Sequence, residues 1–250
     1  AHYLKGTENK VEDLPAVTYY VMGPFDGSPS NGNVWRHANK WPIPAVLTSF
    51  YLQSNHLLNK EKPQKEVESL SYVSDPTNPV PTKGGRNLFL EAGPMDQREI
   101  ESRDDVVVFT SDLLSEDTEI TGDVFAKIYF SSDQPDTDVG IRLCDEYPDG
   151  RSILILDSMH RTGLALCMDN APQRDLKVPF EVEFDVGTTS IVIAKGHRIR
   201  ISVSSTNYPR YEVNHHSGIP GKPNQKPISA QNKIYFGADT PSCIILPIVE

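Results

Sequence analysis

The feature that most constrains the fold is a strict alternation of apolar and acidic residues in VPFEVEFDVG, residues 178–187. The apolar members are Val178, Phe180, Val182, Phe184 and Val186, and the acidic members between them are Glu181, Glu183 and Asp185. Successive side chains of a strand point to opposite faces, so this period of two predicts a half-buried antiparallel strand. RIRISV, residues 198–203, repeats the alternation, with its isoleucines and valine on the inner face.

Six further segments are rich in β-forming residues and are bounded by turn-forming ones: 16–23, 45–52, 123–132, 138–147, 151–161 and 243–249. AHYLKG, residues 1–6, is typical of the last turns of a helix, with Gly6 as its stop. The polar segment 53–69 is expected to be a surface excursion. Many short strands over 250 residues predict an all-β fold, a two-sheet antiparallel jelly-roll sandwich with a short N-terminal helix.

The net charge and the cysteines limit the classes of binding partner and the kinds of covalent or metal site that can be expected. A formal net charge of −10 argues against nucleic acid and anionic membrane, since both reward clustered Lys and Arg. No run of about eighteen apolar residues occurs, so no membrane partner is expected. Cys144, Cys167 and Cys243 form an odd, widely spaced set, which predicts buried free thiols rather than disulfides or a zinc site. Unpaired cysteines favour the cytoplasm, and secretion stays open.

The motif of a serine hydrolase is missing from the chain. The nucleophile elbow of an α/β-hydrolase needs G-x-S-x-G, and the only glycines four apart are Gly23 and Gly27, with Phe25 between them. No serine stands out as part of a triad on another fold. We therefore predict no catalytic residue in this chain, and no cofactor.

Two clusters invite a metal interpretation. His215 and His216 are adjacent, so on an extended chain they point apart, and a loop that bonds them to backbone is the favoured interpretation. Asp133, Asp136 and Asp138 are weak candidates for a hard cation, although the calcium-loop pattern is not met. Aspartates that satisfy their own turn are commoner, so no metal is predicted.

Aromatic side chains leave a binding role open. Trp35, Trp41, Tyr208 and Tyr211 could form a platform for sugars, as in many jelly-roll modules. The tryptophans could equally close one end of the sandwich.

Several strings in a fixed order carry a resemblance that covers nearly the whole chain. They are VTYYVMG, VWRHANKWPIP, YVSDPTNPVPTKGG, GPMDQREIESRDDVVVFTSDLLSEDTEITG, SSDQPDTDV, DEYPDGRS and GHRIRISVSSTNYPRYEVN. The set resembles the C-terminal domain of the X-Pro dipeptidyl-peptidase, cocaine esterase and α-amino-acid ester hydrolase family of serine hydrolases.

The resemblance implies that the jelly roll is of the galactose-binding-like kind. It also implies that an α/β-hydrolase domain with a helical cap precedes this jelly roll and holds the whole triad. Residues 1–15 would be the end of the final hydrolase helix and a linker, and residues 16–250 the jelly-roll domain. The implied function is non-catalytic: the domain covers the hydrolase core and helps to wall the substrate pocket. Its partners would be the hydrolase and cap domains of the same polypeptide and a small ester or peptide substrate. A homo-oligomer stays open. The alternatives are a freestanding carbohydrate- or peptide-binding module and a hydrolase in its own right.

The resemblance also assigns residues. Leu88 and Phe89 match an apolar pair that reaches the acyl pocket in the esterase branch, against the alternative of a core Leu-Phe on a strand. The charged segment with Asp96, Arg98 and Arg103 is expected to order the domain junction. Asn207, with Ser204 and Ser205, is expected to hold a loop by backbone hydrogen bonds, and Arg210 to meet carboxylates of the neighbouring domain. The family has small polar residues where His215 and His216 stand, so these histidines lie outside the shared chemistry.

Overall fold

The computed structural model describes residues 2–66, 68–162, 175, 177–217 and 226–250. The described residues contain two short α-helices, one 3-10 helix (Val11–Asp13) and thirteen strands, joined by loops. In chain order the α-helices and strands are α1 (His2–Lys5), β1 (Val17–Val21), β2 (Val34–Ala38), β3 (Val46–Leu52), β4 (Leu58–Asn59), β5 (Ser69–Ser74), α2 (Arg98–Glu101), β6 (Val107–Thr110), β7 (Thr118–Ser132), β8 (Asp138–Glu146), β9 (Ser152–Arg161), β10 (Phe180–Ile193), β11 (Arg198–Ser204), β12 (Ala230–Tyr235) and β13 (Cys243–Val249).

The strands form two sheets and a separate ribbon, and every paired strand is antiparallel to its neighbour. The larger sheet has the order β4-β3-β13-β7-β12-β5, with β10 on the other edge of β7. The smaller sheet has the order β6-β11-β8-β9, and β1 pairs only with β2. The ribbon joins the sandwich through Met22, whose N–H donates to Ser190 O at 2.9 Å.

The core lies between the two sheets. Ile199, Ile201 and Val203 of β11 are fully buried there, opposite Val182 and Phe184 of β10 in the same cluster. Burial of this apolar surface is the main stabilising contribution of such a sandwich. The apolar residues of β10 and β11 therefore face the core, as their period of two predicts. Val178 is the exception, because it lies exposed before the first residue of β10.

A second, smaller core covers the opposite face of the four-stranded sheet. Val80, Ile100 and Val106 pack there, so the excursion between β5 and β6 closes over the sheet. The excursion is tied to β9 by backbone hydrogen bonds from Gln97 N to Ser152 O at 2.7 Å and from Leu154 N to Met95 O at 3.1 Å. This face carries the polar side chains of β8, β9 and β11.

The predicted all-β, two-sheet antiparallel sandwich is confirmed. Every segment predicted as a strand contains one, although β7 begins five residues earlier than predicted and β10 ends six residues later. The sequence patterns missed β2, β5, β6 and β12. Within the predicted surface excursion 53–69, the short strand β4 buries Leu58 completely. The short N-terminal helix is present as α1, and it ends before Gly6, which has φ +63°.

Two of the three cysteines can be located. Cys144 and Cys243 are free and buried, as predicted, and burial raises the pKa of both thiols. Cys167 lies outside the described residues. No helix in the described ranges is long and apolar enough to cross a membrane.

Candidate functional site

The pair Leu88–Phe89 lies at the tip of a closed loop. Gly85 and Gly93 exchange backbone hydrogen bonds of 2.8 and 3.0 Å, which closes a compact loop over residues 86–92. Both glycines have positive φ, so this closure suits residues without a side chain. Leu88 is 93% exposed and Phe89 98% exposed. The structure therefore places the pair outside the core, which removes the alternative of a core Leu-Phe on a strand.

The stem of this loop rests on a polar cluster inside the chain. A carboxylate, Asp157 of β9, accepts hydrogen bonds from Arg210 and, at 2.8 Å, from Asn207 Nδ2. A Cβ added at Gly85 would lie 2.9 Å from Asp157 Oδ1, so the glycine lets the stem approach the cluster. Within this chain the charge of Arg210 is met by Asp157.

The segment 204–207 holds its loop through both backbone and side-chain hydrogen bonds. Ser204 Oγ donates to Thr206 O at 3.2 Å, and Asn207 O accepts the backbone N–H of Tyr211 at 3.0 Å. Ser205 Oγ contacts Tyr72 Oη at 2.7 Å and accepts from Asn232 Nδ2 at 2.8 Å.

The charged segment 96–105 also finds its partners within the chain. Arg98 pairs with Asp96, whose Oδ1 accepts the backbone N–H of Ser152 at 3.1 Å. Arg103 binds both oxygens of Asp105 at 2.7 Å and donates to Asn78 O at 2.8 Å. These contacts order the excursion between β5 and β6.

An apolar cavity of about 630 Å³ opens beside the loop stem. Its walls come from the ribbon and the following turn, from β9 and β10, and from both ends of the loop; they include Tyr20, Met22, Phe25, Trp41, Gly85, Gly93, Leu154 and Ile191. Its size and apolar lining are those of a small-molecule or side-chain site. No residue pattern in the sequence indicated it, because its walls come from segments far apart in the chain.

A buried polar pair lies in the cavity wall. Asp145 lines the cavity, and its Oδ1 lies 2.8 Å from Nδ1 of buried His197. Burial raises the pKa of Asp145 to about 6, and the nearby imidazole opposes that rise. The ring of Tyr147 packs at a tilt of 49° against His197, with 4.3 Å between centroids, and its hydroxyl accepts the N–H of Phe25 at 3.3 Å. These contacts fix the base of the cavity.

The ribbon presents large apolar side chains to solvent. Tyr20 and Trp35 are direct cross-strand partners, with ring centroids 5.3 Å apart. Trp35 is 67% exposed, and Trp41 packs edge-on against Tyr19 at 5.7 Å. The tryptophans therefore lie on the surface of the ribbon and its flank, and they do not close an end of the sandwich.

The three aspartates considered for metal binding take part in an ion pair and in hydrogen bonds within the chain. Asp136 pairs with Arg161 at 2.6 Å, Asp138 accepts from Asn214 Nδ2 at 2.8 Å, and Asp133 accepts the backbone N–H of Gln231 at 2.8 Å. Across the described residues, no group of three or more His, Cys, Asp or Glu side chains could hold an ion.

The two adjacent histidines differ in environment. His215 is exposed, whereas His216 is buried with its Nδ1 2.6 Å from Ile228 O. His216 Nε2 lies 3.4 Å from the hydroxyl of buried Ser74. Burial lowers the pKa of His216, and its Nδ1 faces a carbonyl where a triad would need a carboxylate. His216 therefore has a structural role, through its contacts with Ile228 and Ser74.

These features together define a β-sandwich domain with an exposed apolar loop and ribbon but without the nucleophile elbow of a hydrolase. Its sequence matches the X-Pro dipeptidyl-peptidase C-terminal non-catalytic domain over residues 9–245. The chain belongs to this family, as its ordered strings predicted.

Individual relatives agree with the family. Cocaine esterase from Rhodococcus sp. (strain MB1 Bresler) is 33% identical over 261 residues, which cover 99% of this chain and 44% of the esterase. An aminopeptidase from a marine sediment Thaumarchaeota archaeon superposes with a TM-score of 0.83 at 25% identity, over 100% of this chain and 43% of that one. An α-amino-acid ester hydrolase shares the fold, with a TM-score of 0.75 at 24% identity over 90% of this chain and 42% of that one. The chain thus spans less than half the length of these relatives.

Proposed function

We propose that this chain is the accessory domain of a serine hydrolase in which the Leu88–Phe89 loop forms one wall of the acyl pocket. Residues 1–15 would link it to an upstream α/β-hydrolase domain with a cap, and that domain would hold the nucleophile and its partners. The substrate would be a small ester or peptide, cleaved through an acyl-enzyme with an oxyanion hole.

The observation that supports the proposal is the exposure of Leu88 and Phe89 on a closed loop. Covering a Leu or Phe side chain contributes roughly 1.5–3 kcal/mol each, so an exposed pair gains stability when another surface or a substrate covers it. The hydrogen bonds between Gly85 and Gly93, beside the Asp157–Arg210 pair, fix the ends of the loop without a ligand. A loop whose ends are fixed before binding loses less conformational entropy when a substrate arrives.

The test is the double variant Leu88→Ala/Phe89→Ala in the complete hydrolase. Loss of two apolar contacts is expected to raise KM by roughly tenfold or to change the preference among acyl groups, since a tenfold effect needs only about 1.4 kcal/mol. Because both side chains are exposed in this chain, the melting temperature of the chain on its own should stay close to that of the parent. Steady-state kinetics on a series of acyl chain lengths measures the effect.

A matched control is available on β3. Val46 and Leu47 are also adjacent, apolar and exposed, so Val46→Ala/Leu47→Ala removes a similar surface far along the chain from the loop. This control should leave KM and acyl preference unchanged. Identical kinetics in the parent and in the loop variant would refute the assigned wall.

A further inference from the structure

We propose that the cavity beside the loop stem binds a small amphipathic carboxylate, an apolar chain or ring that ends in a carboxylate group, and that Arg86 is its anchor. The site belongs to the stem of the loop and not to its tip. The inference therefore goes beyond the pocket wall assigned to Leu88 and Phe89 and does not depend on it.

Arg86 is positioned at the cavity by its fit against a glycine. It follows Gly85 at the start of the loop, it is exposed, and it lines the cavity. Its guanidinium lies over Gly187, at the bulge of β10, where an added Cβ would lie 2.9 Å from Nη2 and 3.3 Å from Cζ and Nη1. A side chain at position 187 would displace this planar group, so the glycine provides the space that it occupies.

The hydrogen-bonding capacity of this guanidinium is unused. A guanidinium carries five N–H donors in a planar fork that suits the two oxygens of a carboxylate. Among the described residues Arg86 makes no hydrogen bond and no ion pair, whereas Arg210, which also lies beside Gly85, is paired with Asp157. A cation without a counter-charge at the edge of an apolar cavity favours a bound anion.

The walls of the cavity select the rest of the ligand. Phe25, Trp41, Leu154 and Ile191 give it an apolar lining, and about 630 Å³ is within the usual range of small-molecule sites. Of the lining residues that the structure describes, Arg86 alone has a positively charged side chain. One guanidinium balances the single charge of a carboxylate, whereas a phosphate group carries about −1.5 to −2 charges at pH 7. The lining therefore favours an apolar carboxylate over a phosphate.

The position of a second charged residue sets the orientation of the ligand. Asp145 lies at the base of the cavity near Phe25, which follows the ribbon. Arg86 instead contacts β10 at Gly187, and β10 meets the ribbon four residues later at Ile191, about 13 Å along the strand. At about this separation the repulsion between two carboxylates is largely screened at physiological salt. The ligand carboxylate thus lies at the loop stem, and its apolar body extends toward the ribbon.

Calorimetric titration of the complete protein with phenylhexanoate and with its neutral amide tests the inference. The two probes have the same apolar body and differ in the charge of the end group. The acid is expected to bind roughly tenfold more tightly than the amide, because hydrogen bonds to charged groups are the stronger ones. Arg86→Gln should abolish this preference. Arg98→Gln is the matched control, since Arg98 is an exposed arginine outside the lining, and it should keep the preference.

A second variant tests the apolar part of the site. Met22 lines the cavity and is 40% exposed, so Met22→Trp is expected to fill part of the cavity without disturbing the core. It should weaken the binding of the acid and of the amide by a similar factor, because both probes place the same apolar body there. Unchanged affinity for both probes in this variant would overturn the assignment of the cavity.

The remaining outcomes decide the anchor and the source of the carboxylate. Equal affinity of acid and amide in the parent, no binding of either probe, or an unchanged preference in Arg86→Gln would overturn the inference. An apolar dipeptide with a free C-terminal carboxylate is compared with its C-terminal amide in the same way. An Arg86-dependent preference for the dipeptide acid supports the end of a peptide as the ligand, and one confined to phenylhexanoate supports a free acid. The readout is binding, so its failure would leave the pocket wall, which kinetics tests, unaffected.

Discussion

At the scale of single residues, burial of Asp138 has the clearest energetic consequence. Its carboxyl lies at the start of β8 near Asp136 and Arg161, and it accepts a hydrogen bond from Asn214. Burial raises its pKa from 3.8 to about 7, against the opposing effects of Asn214 and Arg161. The folded protein therefore binds this proton more tightly than the unfolded chain does. The stability that Asp138 contributes is fully present below about pH 4 and is lost as the pH rises to about 7.

We predict that Asp138→Asn removes this pH dependence while keeping the hydrogen bond from Asn214. The free energy of unfolding of the variant relative to the parent should increase by up to about 1.4 kcal/mol per pH unit between about pH 4 and 7. Urea unfolding at several pH values measures it. Asp239→Asn, at an exposed position, serves as the control and should leave the slope unchanged. A constant difference between Asp138→Asn and the parent across this range would contradict the prediction.

The sequence predicts which residues face the core. It does not predict which polar side chains form hydrogen bonds or ion pairs with each other. Ile199 and Ile201 are inside because alternation along one strand decides it. Arg210 meets Asp157, which is 53 positions away on β9, and that pairing depends on how a loop crosses the sheet. The exposure of Leu88 and Phe89 depends likewise on the hydrogen bonds between Gly85 and Gly93, which no local pattern announces.

At the scale of elements, one arginine links α2 to two strands of the small sheet. Arg200 of β11 contacts Glu101 at the end of α2 at 3.0 Å and Glu146 of β8 at 2.7 Å. The Glu101 side chain is almost completely buried; Arg200 supplies its counter-charge, and the Ser152 hydroxyl donates to its other oxygen at 2.7 Å. A helix of four residues cannot form alone, and its position follows from the sheet.

We predict that Arg200→Ala destabilises the domain by about 3–5 kcal/mol, because it leaves buried carboxylates without a counter-charge. Arg151→Ala is the control: Arg151 also pairs with two carboxylates, Asp26 and Asp149, but closer to solvent. Its loss should cost much less, since water replaces exposed ion pairs easily. Equilibrium unfolding in urea compares the two, and equal losses would contradict the prediction.

Strands with clean alternation could be predicted, whereas strands shaped by their neighbours could not. β10 was foreseen from its apolar and acidic period, but its second half, with Thr188, Thr189 and Ser190, is a strand because β7 pairs with it over the full length. β5 and β12 have little apolar signal of their own and pair with each other at the end of the larger sheet. Tertiary pairing decides such strands more than intrinsic preference does.

At the scale of the whole molecule, the sandwich class could be predicted because it depends on many strands at once, and single errors of boundary do not change it. The family was recognisable from strings spread along the chain, in order. The cavity beside the Gly85–Gly93 loop could not be recognised from the sequence, since its walls come from distant segments that only the folded chain brings together.

We predict that an antibody raised against this chain detects, in a lysate of the source cell, a native polypeptide of more than twice its mass. The relatives are longer in this proportion, and a hydrolase domain of ordinary size requires it. Denaturing electrophoresis with immunoblotting makes the measurement, with the purified chain as the size marker. A band at the size of the chain itself would favour the freestanding sugar- or peptide-binding module.

The closure of the loop by Gly85 and Gly93 separates the chemistry of the tip from the stability of the sandwich. The two glycines hold the ends together by backbone atoms, so the identity of residues 88–92 does not enter the contacts that fix the ends. We expect substitutions in this stretch to leave the fold of the domain unchanged and, under the function proposed above, to alter the acyl preference of the hydrolase. The rest of the domain would keep its structure while the residues of this stretch change.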